Sequence, residues 1–134
     1  ELATFIDSTY SDFNINKIYV DAFPQIRTPN KQIAPEVNQA INDAISKGTL
    51  IMNFTGHGAE SGWTAETILD IVTITGWDNL YRLPLLVTAT CEFGRNDNPR
   101  QRSGAEFAII NPNGGAIGLV TTSRPVFSNP NYEL

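Results

Sequence analysis

L-P-L-L-V-T-A-T-C, from Leu83 to Cys91, is the stretch on which the fold turns. Leu83–Ala89 is a near-continuous apolar run. Such runs belong to strands covered on both faces, as in a parallel sheet with helices packed over it. A similar run upstream, T-L-I-M-N-F from Thr49 to Phe54, breaks at Gly56-His57-Gly58. A third, Ala116–Thr122, lies downstream, and a shorter β-type run, Lys17–Phe23, ends at Pro24.

Helical patterns separate these runs. Val37, Ala40, Ile41, Ala44 and Ile45 form one apolar stripe, the periodicity of an amphipathic helix. Pro35 suits its first turn, and Lys47 and Gly48 suit its end. Thr64–Leu69 is read as a short helix. Ser103 followed three residues later by Glu106 is a capping box for another, carrying Phe107, Ala108, Ile109 and Ile110 and stopping at Asn111-Pro112. Residues 1–15, Pro24–Pro35 and Glu92–Arg102 read as loops, and the chain runs polar from Thr122 to its end. The order β-α-β-(α)-β-α-β predicts one α/β unit, a parallel sheet flanked by helices.

At 134 residues, roughly two thirds of the unfolded surface can be buried. With 41 % hydrophobic and 17 % charged residues, the composition is globular rather than disordered. The net charge is −5, and the basic residues are scattered apart from Arg95, Arg100 and Arg102, so there is no electrostatic footprint for nucleic acid. No stretch approaches the ~20 apolar residues of a membrane helix. The chain begins at Glu1 without an apolar leader, so targeting signals are expected to be absent or removed. A single cysteine excludes an internal disulfide.

The sole histidine and the sole cysteine occupy equivalent places, each just beyond the C-terminal end of a hydrophobic strand. In a parallel sheet these ends share one rim, where α/β folds bind ligands. A thiol needs a base to become a nucleophile, and an imidazole supplies one. Glycines flanking His57 let the backbone approach a substrate carbonyl closely. The N–H groups of Gly58 and Cys91 are candidate oxyanion donors for acyl transfer. One His and one Cys without further ligands do not make a zinc site, so no metal or other cofactor is expected. Read alone, either residue is ordinary: a small buried thiol, a satisfied imidazole. Their matching positions favour the catalytic reading.

N-F-T-G-H-G-A-E-S-G-W-T-A-E-T-I-L around His57 and L-P-L-L-V-T-A-T-C-E-F-G-R-N-D-N-P around Cys91 resemble the two catalytic blocks of the gingipain peptidase family. P-N-G-G-A-I-G-L-V-T-T-S-R-P-V, from Pro112 to Val126, resembles that family too, and the similarity runs from about Lys17 to Leu134. The resemblance implies a caspase-like fold, of which residues 1–134 would be the C-terminal part of a catalytic domain. It implies Cys91 as nucleophile, His57 as general base and acid, and the Gly58 and Cys91 N–H groups as the oxyanion hole. Asp21 is the one candidate for orienting the histidine, or else an ordinary strand-end residue. Trp63, Glu92 and Arg124 are candidate cleft residues; the plainer reading makes Trp63 a core aromatic and Arg124 a surface arginine. Arg95, Asp97 and Arg100 read as a solvated loop beside the cleft.

The implied substrate is polypeptide. The likeness is greatest to the sortase branch of the family, which implies secreted cargo with C-terminal sorting domains and a place outside the cell or on the bacterial surface. Missing upstream strands would leave a sheet edge open to association. Two other readings compete: a non-catalytic α/β module that binds a protein partner, and a flavodoxin-like domain. The second lacks a glycine-rich phosphate loop, having Phe23-Pro24 where one is needed.

Overall fold

The computed structural model describes residues 2–29 and 31–127. The end of the polar tail, residues 128–134, lies outside the described residues. The three long apolar runs become β3 (Ile51–Thr55), β7 (Leu85–Ala89) and β8 (Gly118–Thr121), a parallel sheet in the order β3-β7-β8.

Helix α2 (Pro35–Lys47) precedes β3 and buries Val37, Ile41 and Ile45, three positions of the predicted stripe. Pro35 stands in its first turn and Lys47 in its last. Gly48 ends it at φ 100°, a conformation only glycine adopts without strain. Helix α4 (Gly104–Ile110) joins β7 to β8 and opens with the expected capping box. The Ser103 N–H donates to Glu106 Oε2 at 2.8 Å, and the Glu106 N–H donates to Ser103 Oγ at 3.3 Å.

The core gathers on the sheet face that carries Met52, Phe54, Leu86 and Leu119, with Trp63, Phe93, Ile74 and Ala108 packed against it. Full burial of a large apolar side chain, as at Leu86, Ile74 and Phe93, stabilises the fold by about 1.5–3 kcal/mol. Along β3 burial alternates, and on the opposite sheet face Ile51 and Val120 are 52 % and 45 % exposed. Two-sided burial of β7 is therefore incomplete: Leu86, Thr88 and Ala89 are buried, while Leu85 and Val87 are only half-buried.

Four local readings change. The run Lys17–Phe23 pairs with no strand among the described residues. It closes in a 3-10 turn, Val20–Ala22, through Ala22 N–H to Tyr19 O and Phe23 N–H to Val20 O. Its apolar residues Ile18, Val20 and Phe23 still pack against the core, so the hydrophobic pattern served packing rather than pairing. Residues 1–15 contain a helix, α1 (Leu2–Thr9), with no buried residue, and the loop before α2 contains the two-residue strands β1 (Ile26–Arg27) and β2 (Gln32–Ile33).

The segment Thr64–Leu69 is not helical. Thr64 and Thr67 take φ 59° and 56°, which no α-helix tolerates. The chain instead forms a small antiparallel sheet of β4 (Gly58–Ala59), β5 (Gly62–Trp63) and β6 (Leu69–Asp70). Helix α3 (Ile71–Thr75) begins only after Asp70, whose carboxylate accepts the Thr73 N–H at 2.8 Å. The better N-cap decides the start.

Candidate active site

The sheet register brings the two singled-out residues to one rim. Ile51 pairs with Leu85 and Thr55 with Ala89, an offset of 34 residues. His57 and Cys91 are separated by the same offset. The ladder continues one step past the strands, with the Gly56 N–H donating to Ala89 O at 3.2 Å. Neighbouring strands run about 4.8 Å apart, so the backbones that bear the imidazole and the thiol emerge side by side.

Beyond that point the two chains diverge. His57 leads into the β4–β5 hairpin and is exposed. Cys91 leads into a tight turn and is half-buried. The next residue, Glu92, sits at φ 55°, a strained conformation for a non-glycine residue. The turn is fastened by Glu92 N–H to Arg124 O at 3.4 Å, Gly94 N–H to Thr122 O at 2.9 Å and Ala105 N–H to Phe93 O at 3.2 Å. Phe93 itself is fully buried.

Among the described residues the Cys91 thiol bonds to the backbone of Val126. The Val126 N–H donates to Sγ at 3.5 Å, and Sγ is 3.7 Å from Val126 O. The His57 side chain makes no hydrogen bond among the described residues. Catalytic hydrogen bonds are often open before substrate binds and tighten only in the complex.

Gly58 shapes the space between the two loops. A Cβ there would stand 2.2 Å from Thr90 Oγ1 and 3.1 Å from Gly62 O. Only glycine lets the histidine loop close on the residue before Cys91. The Thr64 N–H donates to His57 O at 2.9 Å, so the next pair, Gly58 with Trp63, is a non-hydrogen-bonded pair of the ladder. The Gly58 N–H therefore points away from the hairpin. The Cys91 N–H also donates to no group among the described residues. Among the described residues Thr90 Oγ1, buried beside Gly58, has no partner.

The remaining sequence candidates separate. Trp63 is only 1 % exposed and stacks on Phe54 at 4.4 Å, so it floors the rim from within the core instead of walling a cleft. Asp21 is exposed in the 3-10 turn and shares no hydrogen bond with His57 among the described residues. Arg124 is exposed and forms a two-pronged ion pair with Asp97, NH1 to Oδ1 at 3.0 Å. That pairing, chiefly through its hydrogen bonds, holds the Asp97 carboxyl below the ordinary carboxylate range. Glu92 turns its carboxylate to Arg95, 2.9 Å away.

Glu60 escaped the sequence reading. It sits in the two-residue turn between β4 and β5, where a carboxylate looks like ordinary surface. Its carboxylate accepts hydrogen bonds from Arg95, Asn98 and Gln101. The bonds from Gln101 and Asn98, then the Arg95 charge, outweigh partial burial and lower its pKa. Arg95 is thus tied down instead of solvated. Partners 35 to 41 residues away leave no local trace in the sequence.

An open cleft of about 570 Å³ adjoins His57, lined by Gly58, Ser61, Thr64, Asp70 and Val72 among others, but not by Cys91. Among the described residues no cluster of His, Cys, Asp or Glu is arranged to hold a metal ion. Nor is any described helix long and apolar enough to cross a membrane.

The model of peptidase family C25 matches residues 1–134. No curated protein matches the chain. Among solved structures, the Arg-specific cysteine proteinase gingipain R is similar at 20 % identity and a TM-score of 0.63, over 70 % of this chain and 22 % of that one. A complex of the Porphyromonas gingivalis RgpB pro- and mature domains is similar at 20 % identity and a TM-score of 0.60, over 67 % of this chain and 22 % of that one. A structure described as a protease follows at 20 % identity and a TM-score of 0.59, over 63 % and 18 %. Likeness at this identity is likeness of fold. The chain spans about a fifth of the length of these structures.

Proposed function

The chain belongs to peptidase family C25, the gingipain family of cysteine peptidases, and on that premise we propose that His57 and Cys91 are its catalytic dyad, acting on polypeptide. The observation that carries the reading is the 34-residue register of two parallel strands whose C-terminal ends lead into His57 and Cys91 at one rim of the sheet. The Cys91 sulfur attacks the scissile carbonyl while His57 takes the thiol proton and then delivers it to the leaving amine. Negative charge on the carbonyl oxygen falls to the N–H groups of Gly58 and Cys91. The C–N bond breaks and leaves a thioester on Cys91. Water resolves it in a peptidase, and an amine resolves it in a sortase.

The finer reading is a sortase of the PorU type that removes C-terminal sorting domains from type IX secretion cargo outside the cell or at its surface. The motif likeness around His57 and Cys91 supports it. Mass analysis of the cleaved cargo, with and without an added amine, separates the outcomes. An amide adduct on the new C-terminus supports the sortase; a free carboxylate alone, at every amine concentration, leaves a plain peptidase.

Gly58→Ala is expected to lower turnover by about 100-fold, because displacing a reacting group by about 1 Å has that cost. Its circular dichroism should stay native. Peptide cleavage within twofold of the parent would remove Gly58 from the oxyanion site.

Residues 1–134 are proposed to be the C-terminal part of a larger catalytic domain. β3 and β8 are the outer strands of the sheet, and an unpaired edge is a surface for further strands. Catalytic groups need a supporting shell that holds them within about 0.5 Å. The 134-residue chain alone is therefore expected to cleave cargo about 100-fold more slowly than an upstream-extended form at equal folded concentration. Equal rates in the two would show that the support is already complete.

A further inference from the structure

We infer that Glu60 is a positioning residue, a latch that fastens the His57 hairpin to the Cys91 turn. The inference rests on the dyad reading and adds to it a device that sets the distance between base and nucleophile. The parallel register controls the two backbones only as far as Gly56 and Ala89. Past that point His57 and Cys91 belong to separate loops. Glu60 lies two residues beyond Gly58, in the turn of the hairpin that His57 leads into.

Every polar group of Glu60 that can accept a hydrogen bond is engaged with the opposite loop or with the helix that follows it. Its carbonyl oxygen accepts the Gly104 N–H at 2.7 Å, at the head of α4. Oε1 accepts Arg95 NH1 at 2.9 Å. Oε2 accepts Asn98 Nδ2 at 2.7 Å and Gln101 Nε2 at 2.8 Å. The side chain is only 12 % exposed. Arg95 passes the connection on, because the same NH1 donates to Glu92 Oε1 at 2.9 Å. Glu92 is the residue after Cys91 and takes the left-handed conformation of the turn.

Charge-assisted bonds to a partly buried carboxylate are stronger than neutral ones, and a satisfied network of this kind fixes geometry. Beneath it, Trp63 of the hairpin packs on Phe93 of the turn at 5.7 Å between ring centres. The aromatic contact holds the loops together from the core side, and Glu60 holds them from the outer side. Without the carboxylate, the hairpin keeps its strand pairing but loses its fixed angle to the Cys91 turn.

The test uses the intact protein with Glu60→Ala, Glu60→Gln and Arg95→Met, followed by peptide cleavage and by iodoacetamide alkylation of Cys91 at neutral pH. Glu60→Ala is expected to lower kcat by about tenfold or more with KM within about threefold, since misalignment acts on the reacting groups. Alkylation should slow toward the rate of His57→Ala. Glu60→Gln keeps an acceptor but loses the ion pair, so it should fall between. Arg95→Met breaks the latch from the other loop and carries the same expectation should Glu60→Ala fail to fold. The loss in the double variant should fall short of the product of the two single losses, because both variants remove the shared Glu60–Arg95 ion pair. A folded Glu60→Ala or Arg95→Met with parental kcat and alkylation rate, beside an inactive Cys91→Ala, overturns the latch and spares the dyad. Full turnover by Cys91→Ala overturns the dyad and the latch with it.

Discussion

Cys91→Ala is expected to lower peptide turnover by about 10⁴-fold or more while the protein unfolds at nearly its parental temperature. Loss of the nucleophile from a unit that acts together costs rate on this scale. The cost to stability is small because Cys91 is half-buried, lies past the end of β7 and gives up only weak bonds to the Val126 backbone. Changes away from tightly packed sites usually stay within about 0.5 kcal/mol. The two quantities separate the two roles. If turnover falls because the protein no longer folds, Cys91 is a packing residue and the nucleophile lies elsewhere.

His57→Ala is expected to lower kcat by about 10²- to 10⁴-fold, the usual contribution of a positioned general base and acid. His57 is exposed and its side chain has no hydrogen bond among the described residues to lose, so unfolding should be unchanged. The combined His57→Ala and Cys91→Ala variant should be no slower than Cys91→Ala alone, because the imidazole acts only through the thiol. Steady-state kinetics with a peptide substrate measures all three. An additive loss in the double variant would give His57 a role independent of Cys91.

Much of the fold was legible because the residues involved signal locally. The stripe Val37, Ile41, Ile45 on α2 is buried in the core as its spacing requires, and Ser103 with Glu106 caps α4 as a pair. The runs leading to His57 and Cys91 are strands, and their equal places at strand ends became one register. The misreadings share a cause. Ile18, Val20 and Phe23 look like a strand, but tertiary packing rather than pairing uses them. Thr64 and Thr67 adopt left-handed backbone conformations that no propensity announces. Trp63 is no misreading: the plainer reading makes it a core aromatic, and its ring lies under the rim against Phe54. Glu60 was invisible because its meaning comes from Arg95, Asn98 and Gln101 on another loop. Gly58 reads in the sequence as a glycine for close approach to substrate, whereas the neighbour it approaches in the folded chain, Thr90, leaves no trace there.

Cys91 as a nucleophile activated by His57 is a property that thiol trapping reads out. The most direct measurement reacts the intact protein with a peptidyl electrophile that traps thiols and locates the adduct by peptide mass mapping. One adduct is expected, on Cys91, formed rapidly in the parent and at least about 100-fold more slowly in His57→Ala, as removal of a general base requires. An adduct on Cys91 that forms at the same rate without His57, or no adduct on Cys91 in a protein that still cleaves peptide, would contradict it.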